Sequence, residues 1–332
     1  MFSVTLKNKA EFKAQQEKTL LDAAQLDEIT LAHSCRTGRC GACIAPVLSG
    51  RTKVIKPEQA ISQKELDAGY ILTCCREACS DLELGIEDIS ILSQYPSKTL
   101  PCRIDALKLM SQDVLQVTLR LPPTMPLKYL PGQYVDVIGA NGLRRSYSIA
   151  NSPNKDGKIT LHIRFVKGGQ FSHYWFNEAA VNDLLRLEGP LGTFFHRDSA
   201  KPNLVFLATG TGIAPIKAML SQFKACPMKH KITVYWGGRY KEDLYDEAHL
   251  KIEHVDYIPV LSRPGADWSG QCGYVQEVAI SNQHDWANTT VYACGSPLMI
   301  ASAKDRLIKQ GLEECHFFSD AFVSSDTLEA VS

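Results

Sequence analysis

The chain carries three cysteines in a C-x4-C-x2-C spacing, Cys35, Cys40 and Cys43, and Cys74 follows after thirty intervening residues. Six of the eleven cysteines fall between Cys35 and Cys79. The opening residues alternate like a strand and lack the apolar core of a signal peptide. A disulfide framework requires an oxidising compartment, so the spacing favours a fold that gathers these thiols around a metal.

The spacing predicts a [2Fe–2S] cluster held by Cys35, Cys40, Cys43 and Cys74. Four thiolates must converge on two bridged irons, and thiolates are the soft ligands that such clusters select. A tight loop supplies three ligands and a distant segment supplies the fourth. The alternatives are a structural zinc site or buried free cysteines. Zinc sites favour paired C-x2–4-C knuckles, and this stretch has one such knuckle.

The fourth ligand has two candidates, because Leu72-Thr73-Cys74-Cys75 offers adjacent thiols. Neighbouring residues of a strand point to opposite faces, so only one of them is expected to face the loop. The tripeptide Leu-Thr-Cys resembles that of plant-type ferredoxins and selects Cys74. Cys75 and Cys79 are then expected to be structural.

Length and charge limit the possible functions. A chain of 332 residues suits two or three domains. The formal net charge is zero, so no nucleic-acid partner is expected. No stretch approaches the roughly 20 apolar residues that span a bilayer, so we expect no membrane association and a cytoplasmic location. Composition places the domains at 1–92, 98–200 and 201–328, with a polar linker over 93–99.

The middle and last domains have different strand patterns. From Pro101 to about Pro190, short alternating runs punctuated by proline and glycine predict an antiparallel barrel, interrupted by a helix from Phe171 to Ala180. Those runs are 114–121, 133–138, 145–150 and 158–166. From Pro202, buried strands alternate with helices and predict a parallel sheet covered on both faces. These strands are Leu204 to Ala208, Ile232 to Trp236, Val255 to Leu261 and Thr290 to Ala293, and the helices are Pro215 to Ala225 and Pro297 to Gly311.

Two motifs in the barrel predict a flavin site. Arg145-Ser146-Tyr147-Ser148 places an aromatic ring for stacking on an isoalloxazine, a guanidinium for a pyrophosphate and a hydroxyl within reach of flavin N5. Gly169 and Ser172, in Gly-Gly-Gln-Phe-Ser, begin the predicted helix and offer a second contact to the same pyrophosphate. The alternative for Tyr147 is a core tyrosine of the barrel.

Three turns of the last domain predict a nicotinamide nucleotide site at the carboxyl ends of the strands. The first turn allows close backbone approach and begins a helix with proline in its first turn; its residues are Gly210, Thr211, Gly212 and Pro215. The second contains Gly238 and Arg239, and the third contains Cys294 and Gly295. Cys294 could instead be a buried small apolar residue.

Taken together, these motifs resemble the ferredoxin–NADP reductase superfamily over about the last two-thirds of the chain and a plant-type ferredoxin over about the first ninety residues. The resemblance implies a β-grasp ferredoxin-like domain, an antiparallel β-barrel FAD domain and an α/β parallel-sheet nicotinamide domain. In that family the positions of Ser148 and Cys294 flank the path of hydride transfer. Their role is positioning.

Three stretches are more similar to the family of CDP-6-deoxy-delta-3,4-glucoseen reductases than to the reductase components of aromatic-ring oxygenases. They are 71–75, 129–151 and 317–323. The first family supplies electrons to a pyridoxamine-phosphate-dependent dehydrase of 3-deoxysugar (O-antigen) synthesis. The resemblance therefore implies electron transfer from NADH through FAD and the cluster to such a dehydrase. The alternatives are the reductase component of a bacterial aromatic-ring oxygenase, a redox-sensing flavoprotein without turnover, and a stand-alone flavin or ferric reductase.

The choice between NADH and NADPH depends on the turn after the third strand. Ser262-Arg263 resembles the pair that grips a 2′-phosphate in plant reductases, but Cys272-Gly273-Tyr274 lacks the lysine expected before the tyrosine. The pattern therefore favours NADH.

Overall fold

The computed structural model describes residues 1–33, 36–39, 41, 43–139, 142–225, 230–282 and 284–322. The chain divides into two compact units, Met1–Pro96 and Ser97–Ser332. Among the described residues, no helix is both long and apolar enough to cross a membrane.

The first unit is a mixed sheet that carries one helix against its core. Its sheet has the order β2-β1-β7-β3-β5, with β1 parallel to β7 and antiparallel to β2. Helix α1 begins after Thr19, whose hydroxyl accepts the backbone N–H of Asp22. Its buried side chains join the core of the sheet. The elements are β1 (Phe2–Leu6), β2 (Glu11–Ala14), α1 (Leu20–Leu26), β3 (Ile44–Ser49), β4 (Thr52–Val54), α2 (Gln63–Asp67), β5 (Tyr70–Leu72), β6 (Arg76–Ala78) and β7 (Leu82–Leu84).

The second unit begins with an antiparallel barrel. Its six strands have the order β11-β10-β13-β8-β9-β12, and a bridge between Ile149 and Leu161 links the two ends of the sheet. The predicted single helix is instead a short α-helix followed by a π-helical turn, Tyr174–Glu178. The elements are β8 (Lys98–Ser111), β9 (Val114–Arg120), β10 (Tyr134–Ile138), β11 (Arg144–Ser148), β12 (Ile159–Arg164), α3 (Gln170–His173) and β13 (Leu184–Leu191).

The remainder of this unit is a six-stranded parallel sheet, which we call the nucleotide sheet. Its order is β17-β16-β15-β14-β18-β19. Apolar side chains of α4 pack on one face, and those of α5 and α6 pack on the other, so the strands are buried on both sides. The elements are β14 (Asn203–Thr209), α4 (Ile213–Ala225), β15 (Lys231–Gly238), β16 (Val255–Leu261), β17 (Gln271–Cys272), α5 (Val275–Ser281), β18 (Thr289–Gly295), α6 (Pro297–Lys309) and β19 (Phe317–Ala321).

Candidate cluster, flavin and nucleotide sites

Two of the predicted cluster ligands meet at one end of the first sheet. Cys43 directly precedes β3 and Cys74 follows β5, and these strands are antiparallel with Ile44 opposite Leu72. The start of one strand therefore lies beside the end of the other. The Sγ atoms of Cys43 and Cys74 are 3.2 Å apart, and both side chains are buried. Two soft ligands thus converge as a cluster requires. Cys35 and Cys40 lie outside the described residues.

Thr73 holds the segments that contain these two cysteines together through hydrogen bonds. Its backbone N–H and its hydroxyl both donate to the Cys43 carbonyl, at 3.0 and 3.2 Å. Its own carbonyl accepts the N–H of Leu21 in α1. Thr73 is fully buried. The threonine of the Leu-Thr-Cys tripeptide therefore fixes the register between Cys43 and Cys74.

The prediction that Cys74 and Cys75 lie in a strand and point to opposite faces is wrong. Both residues lie in a turn, where the Cys75 N–H donates to the Leu72 carbonyl. Because strand alternation does not apply there, the two Sγ atoms are only 3.6 Å apart. The surroundings separate them instead: Cys75 Sγ lies 3.4 Å from the Pro57 carbonyl, to which it donates. The choice of Cys74 as ligand remains a prediction, supported by its distance from Cys43.

Cys75 fills space beneath the cluster loop. A Cβ atom added to Gly38, whose φ is +76°, would lie 2.7 Å from Cys75 Sγ and 2.3 Å from the Pro57 carbonyl oxygen. Burial, reinforced by the neighbouring Cys74, raises the pKa of the Cys75 thiol to about 12. A protonated, packed thiol is consistent with the structural role predicted for Cys75.

The flavin motif lies on β11, whose alternation separates two adjacent arginines. Arg144 forms ion pairs with Asp136 and Glu188. Arg145 points to the other side, and its guanidinium donates to the Arg144 carbonyl at 2.8 Å. Within the described part of the chain, no carboxylate forms an ion pair with Arg145. It is therefore the arginine of the two that can bind an anionic cofactor.

Tyr147 joins the two flavin motifs. Its ring stacks on Phe171 with centroids 6.3 Å apart, and its hydroxyl accepts a hydrogen bond from Trp175 Nε1 at 3.1 Å. Both partners belong to the helical segment that begins after Gly169. The Ser172 hydroxyl accepts the Val166 N–H at 3.0 Å. Ser172 thus shapes the turn, and its O–H remains available as a donor to a phosphate oxygen.

A cavity of about 810 Å³ opens beside these residues. Gly168, Gly169, Phe171 and Tyr174 contribute to its wall, together with Leu143 from the segment before β11. Glycines along a wall allow a ligand to approach the backbone. The volume would admit part of a dinucleotide such as FAD, and Gly169 is the one predicted flavin ligand among the described residues that line it.

Replacement of Arg145 with methionine is expected to weaken FAD binding about 10- to 100-fold, because a charge-assisted hydrogen bond contributes about 1.5–3 kcal/mol. Calorimetric titration of the flavin-free chain with FAD measures the change. Arg144→Met is the matched control: it removes the neighbouring guanidinium, which is bound to Asp136 and Glu188. Equal loss of FAD affinity in both variants would contradict the assignment.

The first and third nucleotide turns interlock through glycines. Gly210–Gly212 forms a 3₁₀ turn between β14 and α4, and Pro215 lies in the first turn of α4. A Cβ atom on Gly212 would lie 2.3 Å from the Cys294 carbonyl oxygen. A Cβ atom on Gly295, whose φ is +144°, would lie 2.1 Å from Thr209 Oγ1. Both glycines are therefore required for the ends of β14 and β18 to meet.

The second turn packs against the first. Trp236 Nε1 donates to the Gly210 carbonyl at 2.9 Å. After β15, the N–H of Arg239 donates to Asp243 at 2.7 Å. The Arg263 N–H donates to the Arg239 carbonyl at 2.9 Å, so two exposed arginines lie side by side. The predicted nucleotide residues thus collect at the carboxyl edge of the sheet, where parallel sheets bind ligands.

Cys294 is fully buried and lies opposite Asp320 in the pairing of β18 with β19. Burial raises the pKa of Cys294 well above its ordinary value, which keeps the thiol neutral. Burial also raises the pKa of Asp320 to about 6. The sequence motifs gave Asp320 no role, because its place beside Cys294 follows only from the pairing of β18 with β19. The roles of Ser148, at the end of β11, and of Cys294 stay predictions.

Family models match three consecutive parts of the chain. They describe a 2Fe-2S iron-sulfur cluster binding domain over residues 4–79, an oxidoreductase FAD-binding domain over residues 101–196 and an oxidoreductase NAD-binding domain over residues 206–305. The matches fall within the three predicted domains, whose boundaries stay predictions.

Individual relatives match along almost the whole chain. The CDP-6-deoxy-L-threo-D-glycero-4-hexulose-3-dehydrase reductase of Yersinia pestis is 41% identical over 95% of this chain and 96% of its own length. The toluate 1,2-dioxygenase electron transfer component of Pseudomonas putida is 30% identical, with 94% of each chain covered. The structure of the Amycolatopsis cytochrome P450 reductase GcoB superposes with a TM-score of 0.70 at 25% identity, covering 98% of this chain and 99% of that one.

These matches confirm the resemblance, the fold class and the cofactors predicted from sequence: a [2Fe–2S] cluster, FAD and a nicotinamide nucleotide. The geometry agrees with these matches. The converging thiols lie in the iron–sulfur match, Arg145, which has no carboxylate partner among the described residues, lies in the FAD-binding match, and the close-packed glycines Gly212 and Gly295 lie in the NAD-binding match. The chain belongs to the family of oxidoreductases that join a [2Fe–2S] iron–sulfur domain to FAD-binding and NAD-binding domains.

Proposed function

We propose that this reductase draws electrons from NADH and delivers them to a pyridoxamine-phosphate-dependent dehydrase of 3-deoxysugar synthesis. The observation that carries the proposal is the difference between relatives. A dehydrase reductase is 41% identical over 95% of the chain, whereas an oxygenase component reaches 30% over a similar length.

Within the chain, each cofactor has proposed ligands. Bound FAD supplies the chemistry that accepts a hydride from NADH and passes electrons singly to the cluster. Arg145, Gly169 and Ser172 would hold its pyrophosphate, Tyr147 would pack on its ring system, and the Ser148 hydroxyl would donate toward the isoalloxazine. The cluster is bound by Cys35, Cys40, Cys43 and Cys74. The residues proposed to hold the nucleotide are Gly210, Thr211, Gly212, Pro215, Gly238, Arg239, Cys294 and Gly295.

Ser148 and Cys294 are proposed as positioning groups for hydride transfer. Burial holds the Cys294 thiol protonated, so it contributes packing and a weak donor beside the nicotinamide. Neither residue would have to exchange a proton with water, because the chemistry that the bound cofactors would supply is a direct hydride transfer. The contribution of these side chains is to fix the distance and angle of approach.

The presence of all three binding domains in one chain has a kinetic advantage. A covalent link keeps the cluster domain at a high effective concentration near the flavin domain, so each turnover avoids a diffusional encounter. The encounter that remains is with the acceptor protein.

Reconstitution with candidate acceptors tests the proposal. The chain is mixed with NADH and either a purified pyridoxamine-phosphate-dependent dehydrase of a CDP-sugar or the oxygenase component of an aromatic-ring dioxygenase. The expected result is sustained NADH oxidation coupled to formation of the deoxygenated sugar when the dehydrase is the acceptor, and no such sustained oxidation with the oxygenase component. Coupling to the oxygenase alone would transfer the proposal to the second class. NADH and NADPH are compared in the same assay, and we propose a higher kcat/KM with NADH.

A further inference from the structure

One strand of the barrel, β12, contacts the segment after β15 through two side chains on the same face. His162 and Arg164 are two positions apart and therefore project to the same side. His162 Nδ1 lies 3.1 Å from the Tyr245 hydroxyl. Arg164 Nη2 donates to Asp243 Oδ1 at 2.8 Å. Burial lowers the pKa of His162 to about 4, so at neutral pH Arg164 supplies the charged contact of the two.

Asp243 is also the residue that shapes the turn after β15. Its Oδ2 atom accepts the backbone N–H groups of Arg239 and Tyr240, at 2.7 and 3.0 Å. A Cβ atom on Gly238 would lie 2.7 Å from the Asp243 Cβ, so the turn closes tightly on this side chain. One carboxylate thus joins the barrel arginine to the turn that contains Gly238 and Arg239.

The same arginine contacts the turn after β14. A Cβ atom on Gly210 would lie 2.7 Å from Arg164 Nη1. That turn is tied in addition to β15 by the hydrogen bond from Trp236 Nε1 to the Gly210 carbonyl. On the barrel side, Arg164 Nε donates to Asp113 Oδ2 at 2.8 Å. The guanidinium therefore links the flavin-binding barrel to two of the turns at the carboxyl ends of the strands in the nucleotide sheet.

We propose that Arg164, acting through Asp243, is a positioning residue that fixes the nucleotide turns relative to the flavin barrel. The inference rests on the hydride path from NADH to FAD and adds the contact that sets the distance between donor and acceptor. Geometry of this kind matters because a misplacement of about 1 Å can lower a rate about 100-fold. The Arg164 and Asp243 side chains are 34% and 19% exposed, and ion pairs this accessible add little to global stability.

The test compares Arg164→Met, Asp243→Asn and the double variant in the FAD-loaded chain. Three quantities are measured: the limiting rate of flavin reduction at saturating NADH, the Kd for NAD⁺ by calorimetry, and hydrogen exchange of the segment 238–245. Each single variant is expected to lower the limiting rate about ten-fold and to speed exchange at the Arg239 and Tyr240 amides. The double variant should be no slower than the slower single variant. Arg164→Lys should restore part of the rate.

Lys158→Met is the matched control. It removes an ion pair of similar exposure, with Asp105 of the barrel, at the other end of β12. This control should leave the limiting rate and the exchange of 238–245 unchanged. Thermal unfolding of all variants should occur within a few degrees of the unaltered chain.

Two results would overturn the positioning role. Multiplying effects in the double variant would mean that Arg164 and Asp243 act separately. A raised Kd for NAD⁺ with unchanged rate and exchange would make Arg164 a nucleotide ligand only. The unaltered chain is measured first with NADH; failure of its flavin to be reduced would refute the hydride path itself, a result distinct from the other two.

Discussion

Replacement of Cys74 with serine is expected to remove the visible iron–sulfur bands. It is also expected to lower electron transfer to a one-electron acceptor by at least about 100-fold, which exceeds the loss typical when a residue that only contacts a metal ligand is replaced. Cys74 Sγ lies 3.2 Å from Cys43 Sγ. Thr73 holds the turn that contains Cys74 against the Cys43 carbonyl. A hydroxyl is a poor substitute because these clusters select thiolates. Absorption at about 400–600 nm, together with analysis of bound iron and sulfide, measures the result.

Cys75→Ser is the matched control, since its sulfur lies only 3.6 Å from that of Cys74. The expected result is a chain that keeps its cluster, because Cys75 donates to the Pro57 carbonyl and packs beneath Gly38. Retention of the bands in Cys74→Ser together with their loss in Cys75→Ser would reverse the assignment. FAD content should be the same in both variants.

Replacement of Gly212 with alanine is expected to lower kcat/KM for NADH at least about ten-fold, the equivalent of 1.4 kcal/mol. The new methyl group would lie 2.3 Å from the Cys294 carbonyl oxygen. The ends of β14 and β18 must then separate, and strain of this kind typically costs about 1–3 kcal/mol. Both the turn proposed to hold the pyrophosphate and Cys294, which is proposed to lie beside the nicotinamide, would move. Calorimetric titration with NAD⁺ and NADH-dependent kinetics measure the two effects.

Gly265→Ala serves as the control in the same domain. The nearest atom to its added Cβ is the end of the Asp267 side chain, which is exposed and can move. This variant should bind NAD⁺ as the unaltered chain does. Unchanged NAD⁺ affinity in Gly212→Ala would show that the close approach of the two strand ends is unnecessary for nucleotide binding.

The regular elements could be predicted where the hydrophobic period was clean. The buried run Val255–Leu261 was predicted with the bounds that the structure shows. Strand β8, Lys98–Ser111, was missed, and its first residues were assigned to a linker. Pro101 lies inside it and pairs with Arg186, and a proline normally argues against an interior strand. Strand β13 contains Gly189 and Pro190 and was missed for the same reason.

The site could be predicted as motifs but not as contacts. The Leu-Thr-Cys tripeptide pointed to Cys74, yet the turn that places Cys75 Sγ beside it depends on backbone geometry that propensity does not specify. Arg164 and Asp243 are separated by 79 positions, and neither belongs to a motif. Only the docking of β12 against the segment after β15 brings them together. Asp320 was likewise visible in the sequence, but its pairing with Cys294 depends on β19 lying next to β18.

The central claim is that electrons pass from NADH through FAD to the [2Fe–2S] cluster. Anaerobic stopped-flow mixing of the intact chain with NADH tests it most directly, with absorbance followed at flavin and cluster wavelengths. The account predicts rapid bleaching of FAD followed by bleaching of the cluster, and in Cys74→Ser the flavin phase alone. A cluster that stays oxidised while the flavin is fully reduced, or a flavin that NADH fails to reduce, would contradict it.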